Sequence, residues 1–250
     1  MSAATEDGCL AHGQPADFAT THWSAVLAAG QDDSPRRAEA LEFICRAYWG
    51  PLYGYIRRRG YDLPDAQDLT QEFFTRLLAR SPFHELDPGK GKFRAFVLAA
   101  LKNFLADVRD RSVAVKRGGG RALVSLDRQQ AADFMFLDVP TQANPERAFD
   151  RHWALTVLDR AFQRLQAEFL AMGKSRQFDG LKEYLSREPD TGDYAAAAQK
   201  LGMTPNTVAV TVYRLRQSYR QMIRAEIGQT VASLPEVEEE FRYLIEIVTQ

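Results

Sequence analysis

Asp65-Ala-Gln-Asp-Leu-Thr-Gln-Glu-Phe-Phe-Thr-Arg-Leu77 decides how this chain is read, because it lays two stripes along one helical period. Leu69, Phe73 and Leu77 recur every four residues and form the stripe that needs a core. Asp65, Asp68 and Glu72, spaced by three and four, form an adjacent carboxylate strip. Asp62 is placed to cap the first turn, and Pro64 falls near its start, where a missing backbone N–H costs nothing. An ordinary surface helix with solvated acids satisfies the same spacing. The pattern therefore predicts the helix and leaves its purpose open.

Toward the N-terminus, helical periodicity begins near Thr21 to Ala29 and resumes over Arg37 to Gly50, with Leu41, Ile44, Cys45 and Tyr48 on one face. Pro51 is expected to end or restart that helix. Leu52 to Arg59 continues it and ends in Arg57-Arg58-Arg59, cations that suit the negative end of a helix dipole, followed by Gly60 as a left-handed cap. Toward the C-terminus, the Pro- and Gly-rich Ser81 to Lys92 reads as a loop. Its Gly89-Lys90-Gly91-Lys92 lacks the spacing and the preceding strand of a phosphate loop.

Phe93, Val97, Leu101, Phe104 and Val108 then predict a long amphipathic helix from Phe93 to Arg109. Lys116-Arg-Gly-Gly-Gly-Arg121 breaks the pattern, and residues 116–144 read as an interdomain linker. A helix follows from Pro145, with Trp153, Leu155, Leu158, Phe162 and Leu165 apolar, and another covers Phe178 to Ser186. From Tyr194 the grammar is that of a helix-turn-helix: a small-residue helix ending at Leu201, Gly202 as its cap, Thr204 as the next N-cap and Pro205 at the first helical position. Val208, Val212, Leu215 and Tyr219 are expected to face inward, leaving Thr204, Asn206, Thr207, Thr211, Arg214, Arg216 and Arg220 for DNA.

The order Asp-Ala-x-Asp-Leu-x-Gln-Glu-x-Phe-x-Arg-Leu resembles the core-binding helix of bacterial RNA polymerase sigma factors of the extracytoplasmic-function group. Tyr48 to Arg59, Phe93 to Arg111 and the C-terminal helix-turn-helix extend the resemblance, in that family's order. The resemblance implies an all-α chain of two helical domains joined by a flexible linker. A flexible N-terminus (1–16) would precede a sigma region 2-like domain (17–115), then the linker (116–144), a region 4-like domain (145–227) and an acidic helical extension (228–250). It implies contact with core RNA polymerase through Asp65, Asp68, Leu69, Gln71, Glu72 and Arg76. It implies contact with the minus-ten promoter element through Arg94, Phe96, Lys102, Asn103, Arg109 and Arg111. The helix-turn-helix would read the minus-thirty-five element. Asn103 and Asp107 match the family's Asn-x-x-x-Asp, whereas Asp110 stands where an arginine is frequent, Ala196 where a glutamate is, and Ala209 and Val210 where basic or hydroxyl residues are.

Composition constrains these expectations. The chain has 250 residues, 45% of them hydrophobic, and a formal net charge of −1. That size suits one or two cored domains, and no apolar run reaches the length of a membrane span. Net charge conceals segregation: Lys90 to Arg121 holds nine basic residues against two acids, while Pro235 to Gln250 holds five acids against Arg242. Such a division predicts one surface for DNA and another for something else. Val231, Leu234, Val237, Phe241, Leu244, Ile245 and Val248 predict that the acidic segment is an amphipathic helix. It is either an added packing helix or an acidic lid that competes with DNA.

Cys9 and Cys45 have no metal or disulfide spacing, and His12, His22, His84 and His152 join no nucleophile motif. The expectation is a non-enzymatic cytoplasmic protein with no cofactor and no metal. Its expected partners are core polymerase and promoter DNA, an anti-sigma factor would be a further one, and a membrane is not among them. The rival readings are a helix-turn-helix regulator acting without polymerase, and a sigma mimic that sequesters a partner.

Overall fold

The computed structural model describes residues 24–30, 36–80, 83, 86–87, 91–115 and 144–249, and among these all regular structure is helical, with no strand. The first group of helices is α1 (Ser24–Gly30), α2 (Arg37–Arg58), α3 (Leu63–Arg80) and α4 (Phe93–Val115). The second is α5 (Pro145–Ala171), α6 (Ser175–Leu181) with a 3-10 turn at Lys182–Leu185, α7 (Asp193–Leu201), α8 (Pro205–Gly228) and α9 (Leu234–Thr249). The all-α class is as expected. Cys9, His12, His22, His84, Gly89, Lys90 and the linker segment 116–143 lie outside the described residues.

Pro51 neither ends nor restarts α2, which runs through it as one helix. An interior proline forfeits a hydrogen bond and costs roughly 3 kcal/mol in an exposed helix. Here Gly50 to Ile56 are all buried, so α2 is enclosed on every side at that point, and packing outweighs the local penalty. Gly60 takes φ +95° beyond the end of α2, the left-handed conformation anticipated for it, and the Arg57 guanidinium donates to the Tyr61 carbonyl at 2.7 Å. The helix expected over Phe178 to Ser186 is instead α6 plus the 3-10 turn. The tighter winding keeps both Phe178 and Tyr184 buried.

Side-chain caps set the starts of α3, α5 and α8. Asp62 Oδ1 accepts from the Asp65 N–H at 2.9 Å, Asn144 Oδ1 from Glu146 at 2.9 Å, and Thr204 Oγ1 from Thr207 at 3.2 Å.

α2 is the hub of the molecule. It packs on α1 and α3, and most extensively on α5, which in turn supports α8 and α9. The buried side chains form one contiguous cluster from Val26 to Leu244. Aromatic edges stitch the first group together: Tyr48 meets Phe93 at 5.4 Å between ring centroids, and Phe73 meets Phe104 at 5.7 Å. α9 packs against α8 and α5 through Val237 and Leu244, with Val231 buried just before it, while Leu234 and Ile245 stay exposed.

Candidate functional site

α3 presents the divided face that its sequence specifies. Leu69, Phe73 and Leu77 are buried, so Leu69 belongs to the core and holds the helix rather than meeting a partner. Asp65 and Asp68 are exposed, and Gln71 and Glu72 are half-buried. Glu72 accepts from Arg76 at 2.5 Å and lies 3.6 Å from Arg111, while the Arg76 guanidinium lies 5.1 Å from the Phe104 ring centroid. The carboxylate strip thus has an open end at Asp65 and Asp68, and an end at Glu72 braced by two arginines.

α4 buries Phe93, Val97, Leu101 and Phe104 and turns Lys102, Asn103, Arg109 and Arg111 outward. Phe96 is half-buried, its ring 5.9 Å from that of Phe93. Between α3 and α4 lies a groove of 240 Å³ with aromatic walls from Phe73, Phe96 and Phe104 and a polar rim from Arg76, Asn103 and Asp107. Flat apolar walls with a few donors and acceptors at the edge are what an unstacked base requires. Behind α4, Arg58, Arg59, Lys102 and Arg109 line a second cleft, together with Asp110. Arg58 and Arg59 of the triplet at the end of α2 therefore contribute to a cationic surface as well as to their own helix terminus. Lys102 is paired there with Glu146, whose hydrogen bond holds its amine above the ordinary lysine value.

Arg94, expected to donate to DNA, is placed differently. Its side chain is mostly buried against the second helical group, where it pairs with Asp150 and with Glu240. The guanidinium lies 4.9 Å from the Trp153 ring centroid and 4.8 Å from that of Tyr243. Burial opposes its charge, and Glu240 and Asp150 more than restore it, so its pKa is raised. Spacing put Arg94 on the polar side of α4, and only the fold reveals that another helix covers that end.

α7 and α8 meet at a tight turn. Gly202 adopts φ 68°, the Met203 N–H donates to the Ala198 carbonyl at 3.0 Å, and Ala197 and Ala198 are buried where the helices cross. Val208, Val212 and Leu215 face the core, and Tyr219 is half-buried with its hydroxyl donating to the Leu158 carbonyl at 3.0 Å. Thr204, Asn206, Thr207, Arg214 and Arg220 are exposed, and Thr211 is half-exposed. Arg216 is turned back into the protein, donating to the carbonyls of Tyr184 at 2.7 Å and Arg187 at 2.9 Å and to Glu188 at 3.1 Å. Tyr213, which the sequence reading passed over, is 64% exposed on the outer stripe between Val210 and Arg214. Its position was readable: with Val212 and Leu215 fixed inward, residue 213 must point out.

Residues 44–112 match the protein-family model described as Sigma-70 region 2, a span that begins inside α2 and ends within α4. Over that span the chain is similar to region 2 of sigma-70 proteins. Searches among curated proteins and among solved structures returned no significant match.

The matched segment contains the α3 acid strip, the α3–α4 groove and most of the cationic cleft. Among the described residues, no helix is long and apolar enough to cross a membrane, and no three His, Cys, Asp or Glu side chains gather as metal ligands. Cys45, half-buried in region 2, has its thiol pKa pushed up by burial, the opposite of what a reactive cysteine needs.

Proposed function

We propose that this chain is a sigma-70 family protein, a sigma factor of the extracytoplasmic-function type that binds core RNA polymerase and directs it to promoters. The observation that carries the proposal is the region 2 match over residues 44–112, joined to an α3 whose Leu69, Phe73 and Leu77 are buried and whose acids at 65 and 68 face solvent. In this reading Asp65, Asp68, Gln71, Glu72 and Arg76 form the polymerase contact. Phe96, Asn103, Arg109 and Arg111 meet the minus-ten element, with the α3–α4 groove receiving an unstacked base and Lys102 and Arg109 holding phosphate.

The N-terminal half of α8 enters the major groove of the minus-thirty-five element, supported by its outward Thr204, Asn206, Thr207, Thr211, Arg214 and Arg220. Arg216 supports the helix and leaves phosphate to its neighbours. Polymerase supplies nucleotidyl transfer and its metal, and the chain supplies sequence preference. An anti-sigma factor is a natural further partner of the α3 strip.

Reconstitution tests this directly. The full chain is mixed with core polymerase, and promoters are selected from a random DNA library by transcription. Transcripts from a shared motif that depend on the chain establish the function. Tight duplex binding without any polymerase contact would instead make the chain a free regulator, and polymerase binding without transcripts would make it a mimic.

A further inference from the structure

The positive start of α4 is closed off by an anion from the far end of the chain. Glu240 of α9 is 1% exposed, and its two oxygens are shared between two cations. Oε1 accepts from Lys92 Nζ at 2.8 Å and from Arg94 Nη2 at 3.2 Å, while Oε2 accepts from Arg94 Nε at 3.2 Å. Glu239 reaches the same Lys92 at 3.1 Å, and Asp150 of α5 pairs with the other side of Arg94.

An oxyanion gripped by the fork of an arginine and by a lysine, at the N-terminal end of a helix, is also the arrangement by which proteins hold a phosphodiester. The Glu240 carboxylate stands where a backbone phosphate would. The cations lie in the strongly basic stretch of the chain, and the anions lie in its most acidic one. The rim of the contact is open to water, with the Glu239 side chain 60% exposed and that of Lys92 26% exposed. Tyr243, also on α9, stacks on the Arg94 guanidinium and donates to Asp150 at 2.7 Å, so one helix supplies both the anion and the cover.

We propose that α9 is an intramolecular competitor for nucleic acid, its Glu239 and Glu240 occupying Lys92 and Arg94 until promoter DNA displaces them. The inference rests on the reading of α4 as a DNA-contacting helix. It goes beyond that reading by making the C-terminal helix a brake on it. In the closed form described here, Lys92 and Arg94 contribute nothing to DNA. In the open form they add two phosphate contacts at the edge of the minus-ten surface.

The test compares the full chain with E239Q/E240Q, using a labelled mixed-sequence duplex with a central A+T-rich bubble. Opening the clamp should raise affinity several-fold at low salt. It should also steepen the dependence of log K on log salt by about 1.5, from two phosphates at roughly 0.7–0.9 each. Adding K92Q/R94Q to E239Q/E240Q should abolish both gains. Unchanged affinity and slope in a folded E239Q/E240Q protein overturn the proposal, as does a gain that K92Q/R94Q leaves intact.

Because Glu240 is buried, a second arm avoids altering it. In a chain carrying Cys9→Ser and Cys45→Ala, Lys92→Cys and Glu239→Cys are joined by a short reducible bismaleimide. Affinity should be lower joined than after reduction, and equal affinities overturn the clamp. Core polymerase binding is measured on the same samples. Retained polymerase binding without any DNA gain sinks the clamp alone. Failure of the unaltered chain to bind polymerase sinks the sigma reading and leaves the two DNA comparisons to decide the clamp.

Discussion

Gly54 of α2 lies against the imidazole of His152 in α5, so closely that a Cβ at position 54 would sit 2.8 Å from Cε1 and 2.9 Å from Nδ1. Where α2 packs on α5, this contact leaves no room for a Cβ. Helix propensity alone would make alanine better than glycine here by about 1 kcal/mol. The contact reverses the sign, because His152 is buried and its Nδ1 is tied to the Ala148 carbonyl at 2.8 Å. Gly54→Ala should therefore destabilise the protein by about 1–3 kcal/mol, the usual cost of overpacking. Thermal melts read the loss as a lower Tm, and adding His152→Ala should recover part of it. A Tm at or above wild type would mean that the ring has room to move.

Charge reversal on the α3 strip separates recognition from folding. Asp68 is exposed and Glu72 is only half-buried, so D68K/E72K forfeits little more than the surface pairs of Glu72 with Arg76 and Arg111, about 1 kcal/mol or less. Helix content by circular dichroism should stay at the wild-type level. Pull-down with core polymerase should fall at least tenfold, since several like charges would then face the site that receives the strip. Loss of helix in the variant would make these acids structural.

The arginines of α8 divide into two kinds, and alanine substitutions should expose the division. Arg214 and Arg220 are outward, so R214A or R220A should lower the salt slope of DNA binding by about 0.9 for each phosphate lost and leave stability unchanged. Arg216 donates to two backbone carbonyls and to Glu188. R216A should leave the salt slope alone and cost about 1–3 kcal/mol in a denaturant titration, because it strips two carbonyls of their donor. A lower slope in R216A would return that residue to the DNA face.

Periodicity and caps made most of the helices legible. Asp62, Gly202 and Thr204 perform the capping roles that their types and positions suggest, and the stripes of α3 and α4 face the core as spaced. What spacing could not supply was any relation between elements far apart in the chain. Arg94 sits on the polar side of its own helix by every local rule, yet Asp150 and Glu240 come from two later helices. Arg216 has the same history, polar by position and committed by the 3-10 turn that folds beneath it. Pro51 misled for a related reason, since its local penalty is real and only the burial around it shows what offsets it. Segregated charge in the sequence suggested two separate surfaces, whereas in the fold Lys92 of the basic stretch pairs with Glu239 and Glu240 of the acidic one.

Alkaline stability offers a check on the join between α5 and α8. Tyr219 donates its hydroxyl to the Leu158 carbonyl, and burial, reinforced by the charge of Asp159, pushes its pKa up to about 12. An unfolded tyrosine ionises near 10. Between those values the unfolded chain gives up its phenolic proton while the folded chain retains it, so rising pH pulls the equilibrium toward unfolding. The contribution is fully present below about pH 10 and is lost as pH climbs through about 12. Tyr243, raised to about 12 by burial and by Asp150, acts in the same direction. Tyr219→Phe should cost about 0.5–1.5 kcal/mol at neutral pH through its missing hydrogen bond. It should also make Tm fall less steeply between pH 9 and about 11 than in wild type, with Tyr243 carrying part of the remaining slope. Parallel Tm curves for the two proteins would show that Tyr219 ionises as freely in the folded state as in the unfolded one.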